Sequence, residues 1–191
     1  MAHARNDAEE WNVLVVCRQG PGVTGRTLAA LGRLGRFRTG GYPQVLLGVV
    51  GRTRATSAPS LAAGIEELVA GAAPFDELVE RVLPVEKAIL FRRDDVTETL
   101  CEELEGTGPR LAGRSFHVRS HLRGLKGRVE HPALERALGA FLAERAEAAG
   151  APARVTFDDP DFIVAVEVAG QRVGYAFLDR ELRASSRVRA K

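Results

Sequence analysis

The 191-residue chain is poor in cysteine, in aromatic residues and in long apolar runs. Its two cysteines, Cys17 and Cys101, lie far apart and beside apolar patterns, which predicts buried free thiols rather than a disulfide or a zinc site. No apolar run approaches the roughly 20 residues that span a bilayer. The polar start, MAHARNDAEE, also lacks the apolar centre of a signal peptide. We therefore expect a cytoplasmic protein with no membrane partner.

Lysine is also scarce, because only three of the 27 basic residues are lysines. The formal net charge is +2, but the charges are unevenly distributed along the chain. Residues 76–105 carry ten acidic side chains against four basic ones, whereas residues 110–130 carry six basic side chains against a single acidic one. Residues 180–191 add five more basic side chains. This separation of charge predicts that one face of the protein binds a polyanion.

The first half of the chain alternates strand-like and helix-like apolar patterns, separated by segments rich in glycine and proline. The predicted order is strand 11–17, helix 24–36, strand 45–50, loop 51–60, helix 61–70 and an apolar run near 82–91. Such an order is typical of a compact α/β unit of the ferredoxin-like kind.

The second half repeats this alternation. Asp94 or Asp95 is expected to cap a helix that runs to Glu105, and Pro132 is expected to open a long helix that Gly150 ends. Strands are predicted over residues 115–123, 155–157, 162–168 and 173–178, with the last two joined as a hairpin at 169–172. The fold class is therefore mixed α/β.

The strand predicted over residues 115–123 alternates apolar and cationic side chains, so that each kind occupies one face. The cationic face, expected to point to solvent, carries His117, Arg119, His121 and Arg123. Lys126 and Arg128 follow in a glycine-containing loop, where backbone amides can approach phosphate. Two interpretations stay open at this point: a phosphate-binding surface, or an ordinary solvated sheet face.

Metal ligation is a third reading of this segment, and the pattern does not favour it. His117 and His121 have the spacing of two zinc ligands on a helix, but on a strand they lie roughly 13 Å apart. Asp158, Asp159 and Asp161 surround a proline, which is typical of a turn rather than of a metal site. We therefore predict no metal.

The segment Gly20–Thr27 has the spacing of a phosphate-binding loop between a strand and a helix, except that Arg26 replaces the usual lysine. No strand ending in aspartate is placed to hold magnesium. No order of nucleophile, base and acid stands out, and no cofactor fingerprint is present. We predict neither an enzyme nor a cofactor, and a nucleotide-binding enzyme using Gly20–Thr27 remains the alternative.

Three stretches together resemble a THUMP domain. They are Arg81–Lys87 (RVLPVEK), Phe116–Gly124 (FHVRSHLRG) and Asp159–Val168 (DPDFIVAVEV). The family usually has asparagine where this chain has Asp159. In addition, Val13–Gly20 is similar to the opening of adaptor proteins in which a ferredoxin-like domain precedes THUMP.

The resemblance implies a function. THUMP domains recognise tRNA, chiefly through its acceptor stem and 3′ end, and deliver it to a modification centre on another domain or protein. Because few residues follow Leu182, the chain resembles the free-standing adaptors that assist a tRNA cytidine N4-acetyltransferase. We therefore expect a non-catalytic tRNA-binding adaptor whose partners are tRNA and an RNA-modification enzyme. A protein-interaction module whose basic face docks on an acidic partner is a further alternative.

The expected RNA contacts are His117, Arg119, His121, Arg123, Lys126, Arg128 and Arg172. The expected domain organisation is a disordered tail over 1–10, a ferredoxin-like domain over 11–80, a THUMP domain over 81–183 and a basic tail over 184–191.

Overall fold

The computed structural model describes residues 10–50, 75–92 and 95–184. These residues form two compact units, one ending at Ala88 and rejoined by residues from Glu181, the other running from Ile89 to Arg180. Each unit contains one sheet and several helices, so the predicted mixed α/β class is confirmed. No helix within these ranges combines the length and the apolar character needed to cross a bilayer.

The first unit contains a four-stranded antiparallel sheet with the order β2-β3-β1-β4. Its strands are β1 (Val13–Cys17), β2 (Gly35–Thr39), β3 (Val45–Val50) and β4 (Val79–Pro84), and its helices are α1 (Val23–Leu31) and α2 (Phe75–Leu78). Alternate residues of β1, among them Val13 and Val15, pack with Val23 and Leu31 of α1 in the core. This strand order is the ferredoxin-like one.

The helix predicted over 24–36 is wrong at its C-terminal end, because α1 stops at Leu31 and β2 begins at Gly35. A Cβ atom at Gly35 would lie 2.3 Å from the carbonyl oxygen of Val49, so glycine permits the close approach of β2 to β3. The loop predicted over 51–60 and the helix predicted over 61–70 lie outside the described residues.

The second unit contains a five-stranded sheet with the order β5-β9-β8-β6-β7. Its strands are β5 (Lys87–Leu90), β6 (Ser115–Leu122), β7 (Arg154–Val155), β8 (Phe162–Ala169) and β9 (Arg172–Asp179). Its helices are α3 (Val96–Leu104), a 3-10 turn (Glu105–Thr107), α4 (Gly108–Leu111) and α5 (His131–Ala148). A short helix, α6 (Arg180–Ala184), begins at the last residue of this unit, and its residues from Glu181 belong to the first unit. β6 runs parallel to β7 and β8, whereas β8 and β9 form the predicted hairpin.

The core of the second unit lies between one face of this sheet and the helices α3 and α5. Apolar side chains at every second position of β6 and β8 pack with the predicted helical stripes. The main contributors are Phe116, Val118, Val164, Val166, Leu100, Leu104, Leu134, Leu138 and Leu142.

Three predicted elements need correction. The apolar run near 82–91 is divided between β4 and β5, and the strand predicted over 155–157 is limited to Arg154–Val155. Asp95 occupies the N-cap position of α3, but its side chain makes no capping hydrogen bond.

The outer edge of β6 is closed in two different ways. β7 pairs only with Ser115 and Phe116. Further along, Glu135 of α5 accepts hydrogen bonds from the Ser120 N–H (2.8 Å) and hydroxyl (3.1 Å), and His131 Nδ1 donates to the Ser120 carbonyl oxygen (2.9 Å). These side chains satisfy strand groups that no neighbouring strand reaches.

Candidate nucleic-acid interface

The alternation predicted for β6 is confirmed, because its apolar residues enter the core and its cationic residues lie on the other face. That face is less open than expected. His117 is only 4% exposed, and its Nδ1 donates a hydrogen bond to the carbonyl oxygen of Thr156 (3.0 Å). Arg119 and His121 are half-buried. Only some of the predicted cations therefore present a free charge to solvent.

Arg123 also departs from the expectation that it would point freely to solvent. Its guanidinium donates to the carboxylate of Glu167, which is 1% exposed in the middle of β8. The Arg123 side chain itself is 19% exposed. A nearby cation stabilises a buried carboxylate, so this pairing restricts the charge that Arg123 can offer to a ligand.

Arg172 and His121, two further residues predicted to contact RNA, are also wholly or partly shielded from solvent. Arg172, the first residue of β9, is 7% exposed. The His121 ring lies 6.5 Å from the ring of His131 in an edge-to-face arrangement. No group of three or more His, Cys, Asp or Glu side chains placed to hold a metal occurs in the described part of the chain.

The loop after β6 presents Lys126 and Arg128 to solvent. Leu125, 3% exposed, anchors the loop in the core, and the N–H of Arg128 bonds to the carbonyl oxygen of Leu125 (3.0 Å). Gly124 and Gly127 on either side have φ values of 83° and 77°, a left-handed conformation that other residues rarely adopt. The loop is thus fixed by its own backbone while both cations point outward.

These two cations also lie in a favourable electrostatic position. Neither Lys126 nor Arg128 forms an ion pair with any residue in the described ranges. The 18-residue helix α5 begins at His131, shortly after the loop, and the positive end of its dipole is offset by the acidic N-cap residue Glu130. Together Lys126 and Arg128 place two exposed positive charges on one loop of the second unit.

Asp161 fixes the start of β8 against the start of β6. Its Oδ2 accepts hydrogen bonds from the backbone N–H and the hydroxyl of Ser115, both at 2.8 Å, and its Oδ1 accepts one from Arg180 (2.8 Å). The backbone N–H of Ser115, then its hydroxyl, and then the charges of Arg180 and Arg114 lower the pKa of Asp161. The carboxylate of Asp161 therefore binds Ser115 on β6 rather than the amide of its own turn that was predicted, and it is committed to the fold.

The segment Gly20–Thr27 does connect a strand to a helix, as predicted. In the structure, however, Thr27 lies inside α1 and is fully buried, and its hydroxyl donates to the carbonyl oxygen of Val23 (2.8 Å). A phosphate-binding loop presents that hydroxyl to magnesium. The local geometry therefore does not support the nucleotide-binding alternative.

The sequence analysis did not predict that one aromatic side chain, Phe157, would be exposed. Phe157 was assigned to a strand, yet it follows the end of β7 and is 69% exposed. It packs beside His117 and Arg119. The sequence offered one clue. Phe157 lies between the β-branched residues Val155 and Thr156 and an aspartate-rich turn, and it belongs to no segment of alternating apolar and polar residues.

No protein-family model matches the chain, and no curated protein matches it. Its fold is similar to that of TrmN from Thermus thermophilus, with a TM-score of 0.54 and 20% identity over 88% of this chain and 45% of that one. A 4-thiouridine synthetase in complex with RNA and ATP gives a TM-score of 0.54 and 14% identity, over 88% of this chain and 41% of that one. PH1313 from Pyrococcus horikoshii Ot3 gives a TM-score of 0.52 and 10% identity, over 87% of this chain and 54% of that one.

The chain thus spans between 41% and 54% of the length of these proteins. At 20% identity or less, the similarity shows the fold alone. That fold is the mixed α/β arrangement of two sheets and several helices described above.

Proposed function

We propose that this protein binds tRNA through the second unit and presents it to a separate RNA-modification enzyme. The observation that carries the proposal is the pair of exposed cations Lys126 and Arg128, without an ion pair in the described ranges, on a loop fixed by its own backbone. Positive charge held in one place and free of acidic partners is what phosphate recognition requires.

The predicted RNA contacts take different roles in this proposal. Arg119, Lys126 and Arg128 make the direct phosphate contacts, because the guanidinium of Arg123 is already engaged by Glu167. Arg123 then supports β6 and contributes at longer range. His117, His121 and Arg172 flank the contact surface.

Two observations support RNA as the ligand over an acidic protein. One of the structures with a similar fold is a 4-thiouridine synthetase bound to RNA. In addition, the segments that resemble THUMP include β6 and the start of β8, which carry or position the cationic residues. We assign the RNA-binding role to the THUMP domain and place the ferredoxin-like domain before it. The boundary expected between residues 80 and 81 falls inside β4, a strand of the first sheet, so we place it near Ala88.

The resemblance to free-standing THUMP adaptors supports a non-catalytic role and a tRNA cytidine N4-acetyltransferase as the partner. Filter binding with bulk tRNA across a salt series tests the RNA-binding part. Affinity should fall with salt by a log–log slope of roughly 0.7 to 0.9 per phosphate contact. Affinity that is the same at low and high salt, or no retention of tRNA on the filter, would contradict it.

The adaptor part needs its own experiment. Purified acetyltransferase from the same host should acetylate tRNA faster when this protein is added, and the protein alone should transfer no acetyl group. An unchanged rate, in a preparation that binds tRNA, would reject this enzyme as the partner while leaving tRNA binding intact.

A further inference from the structure

Phe157 is the most exposed large apolar side chain in the described part of the chain, at 69%. Leu90 and Val155 follow at 56% and 49%. An exposed aromatic residue is costly to keep in water, and a single one needs no explanation by itself. Phe157 differs from Leu90 and Val155 in the hydrogen bonds that fix the backbone around it and in the charged and aromatic groups beside its ring.

The backbone just before Phe157 is fixed to β6 on both sides. The N–H of Thr156 donates to the carbonyl oxygen of Phe116 (3.0 Å), and the carbonyl oxygen of Thr156 accepts a hydrogen bond from His117 Nδ1 (3.0 Å). After Phe157, the N–H of Asp158 donates to the Thr156 hydroxyl (3.2 Å). The ring is therefore exposed on a positioned backbone, which lowers the entropy lost when a ligand stacks on it.

Cationic and aromatic groups lie against the ring of Phe157. The His117 ring is tilted by 31° to it, with centroids 5.1 Å apart, and the guanidinium carbon of Arg119 lies 5.7 Å from its centroid. Of the two carboxylates that follow, Asp159 is paired with Arg180 (3.2 Å), while Asp158 is exposed. The rest of the ring faces solvent next to a positive group, as in the stacking sites of proteins that bind single-stranded nucleic acid.

We infer that Phe157 is a stacking platform for one unpaired base of the bound RNA, with Arg119 contacting a phosphate next to that base. The inference rests on the proposed RNA binding and extends it from phosphate contacts to a base. Because any base has a flat face, this platform recognises an unpaired nucleotide without selecting its identity. A fully paired RNA offers no such base at an internal position.

The test uses the full chain and two RNA probes: a blunt-ended hairpin whose stem is closed by a non-nucleotide linker, so that it has no unpaired base, and the same hairpin with a short single-stranded 3′ tail. Phe157→Ala should weaken binding of the tailed hairpin by about 5- to 150-fold and leave the blunt hairpin unchanged. Phe157→Trp should bind the tailed hairpin at least as tightly as the original. Leu90→Ala, which removes another exposed apolar side chain, is the matched control and should alter neither affinity.

A spectroscopic readout distinguishes stacking from an indirect effect. The chain has a single tryptophan, Trp11, which is 2% exposed, so the Phe157→Trp variant adds one exposed indole. Its fluorescence should be quenched by the tailed hairpin and not by the blunt one, with Trp11→Phe in the same chain to remove the background.

The outcomes separate this inference from the proposed function. If the original chain binds neither probe, the proposed function fails, and the inference fails with it. If the original chain binds both probes and Phe157→Ala binds the tailed hairpin as tightly, Phe157 is no base platform while RNA binding stands. Equal weakening of both probes by Phe157→Ala would also overturn the inference, because a stacking residue must act on the unpaired tail.

Discussion

The carboxylate of Glu167, buried in β8, is paired with the guanidinium of Arg123 at the end of β6. This pair links the two parallel strands at the point where the basic loop begins. Arg123, which the sequence predicts to be an RNA contact, therefore helps to hold the two strands of the sheet together.

Arg123→Ala should therefore cost stability. Removing the cation leaves the Glu167 carboxylate buried without its guanidinium, and the partial exposure of Arg123 reduces the penalty to about 2–3 kcal/mol. Urea denaturation measures the change in the free energy of unfolding. The double variant Arg123→Gln/Glu167→Gln, which removes both charges, should recover part of the loss. Arg119→Ala on the same face should cost only about 0.5–1 kcal/mol, the value of its ring contact.

The connection between Asp161 and Ser115 predicts a pH dependence. Folding lowers the pKa of Asp161, so its contribution to stability is present above the unfolded value of about 3.9 and is lost as the pH falls through the lower folded value. Asp161→Ala should thus be less stable than the original at pH 7, and the difference should shrink at strongly acidic pH. Thermal unfolding from pH 7 downward measures this. Asp158→Asn, a nearby exposed carboxylate, should show no comparable convergence.

Gly108 makes the close packing of α4 on α5 possible. A Cβ atom there would lie 2.2 Å from the carbonyl oxygen of Arg145, whereas one at Gly106 would meet nothing within 4 Å. Gly108→Ala should destabilise the protein by roughly 1–3 kcal/mol because the helices must separate. Gly106→Ala, two residues earlier, is the matched control. Equal unfolding midpoints for the two variants would show that this contact is not tight.

The thiols should react in a fixed order. Burial raises the pKa of Cys17 despite hydrogen bonds with Thr27 and Thr24, and burial together with the charge of Glu105 raises that of Cys101. Since the thiolate is the reactive form, both should react slowly with a disulfide reagent at pH 8. Half-buried Cys101 should react first, and fully buried Cys17 only on unfolding. Rapid reaction of both thiols in the native protein would contradict the predicted burial.

Periodicity in the sequence was sufficient to predict which face of β6 each side chain occupies, because strand alternation is a local property. The degree of burial was not predictable in the same way, since it depends on what covers the second face. The small residues Ala165, Ala169 and Ala176 on that face of β8 and β9 are themselves buried. Such a run of small side chains was the available sign that His117 and Arg172 would not be open to solvent.

The missed strand β2 shows another limit. Leu28, Leu31 and Leu34 have helical spacing, so the pattern favoured one long helix, although Gly32 and Gly35 interrupt it. β2 exists because it pairs with β3, a contact between separate parts of the chain that local spacing does not encode. Phe157 was missed for a similar reason, as its position depends on hydrogen bonds between Thr156 and β6.

The measurement that most directly tests the proposed RNA binding is the salt dependence of tRNA affinity for Lys126→Ala/Arg128→Ala. The control is Arg136→Ala, which removes an exposed arginine from α5. The double variant should stay folded, bind tRNA more weakly at every salt concentration, and have a log–log slope smaller by roughly 1.4 to 1.8, as expected for two lost contacts. The control should keep the original slope. A double variant with unchanged affinity and slope would contradict the assignment of tRNA binding to this loop.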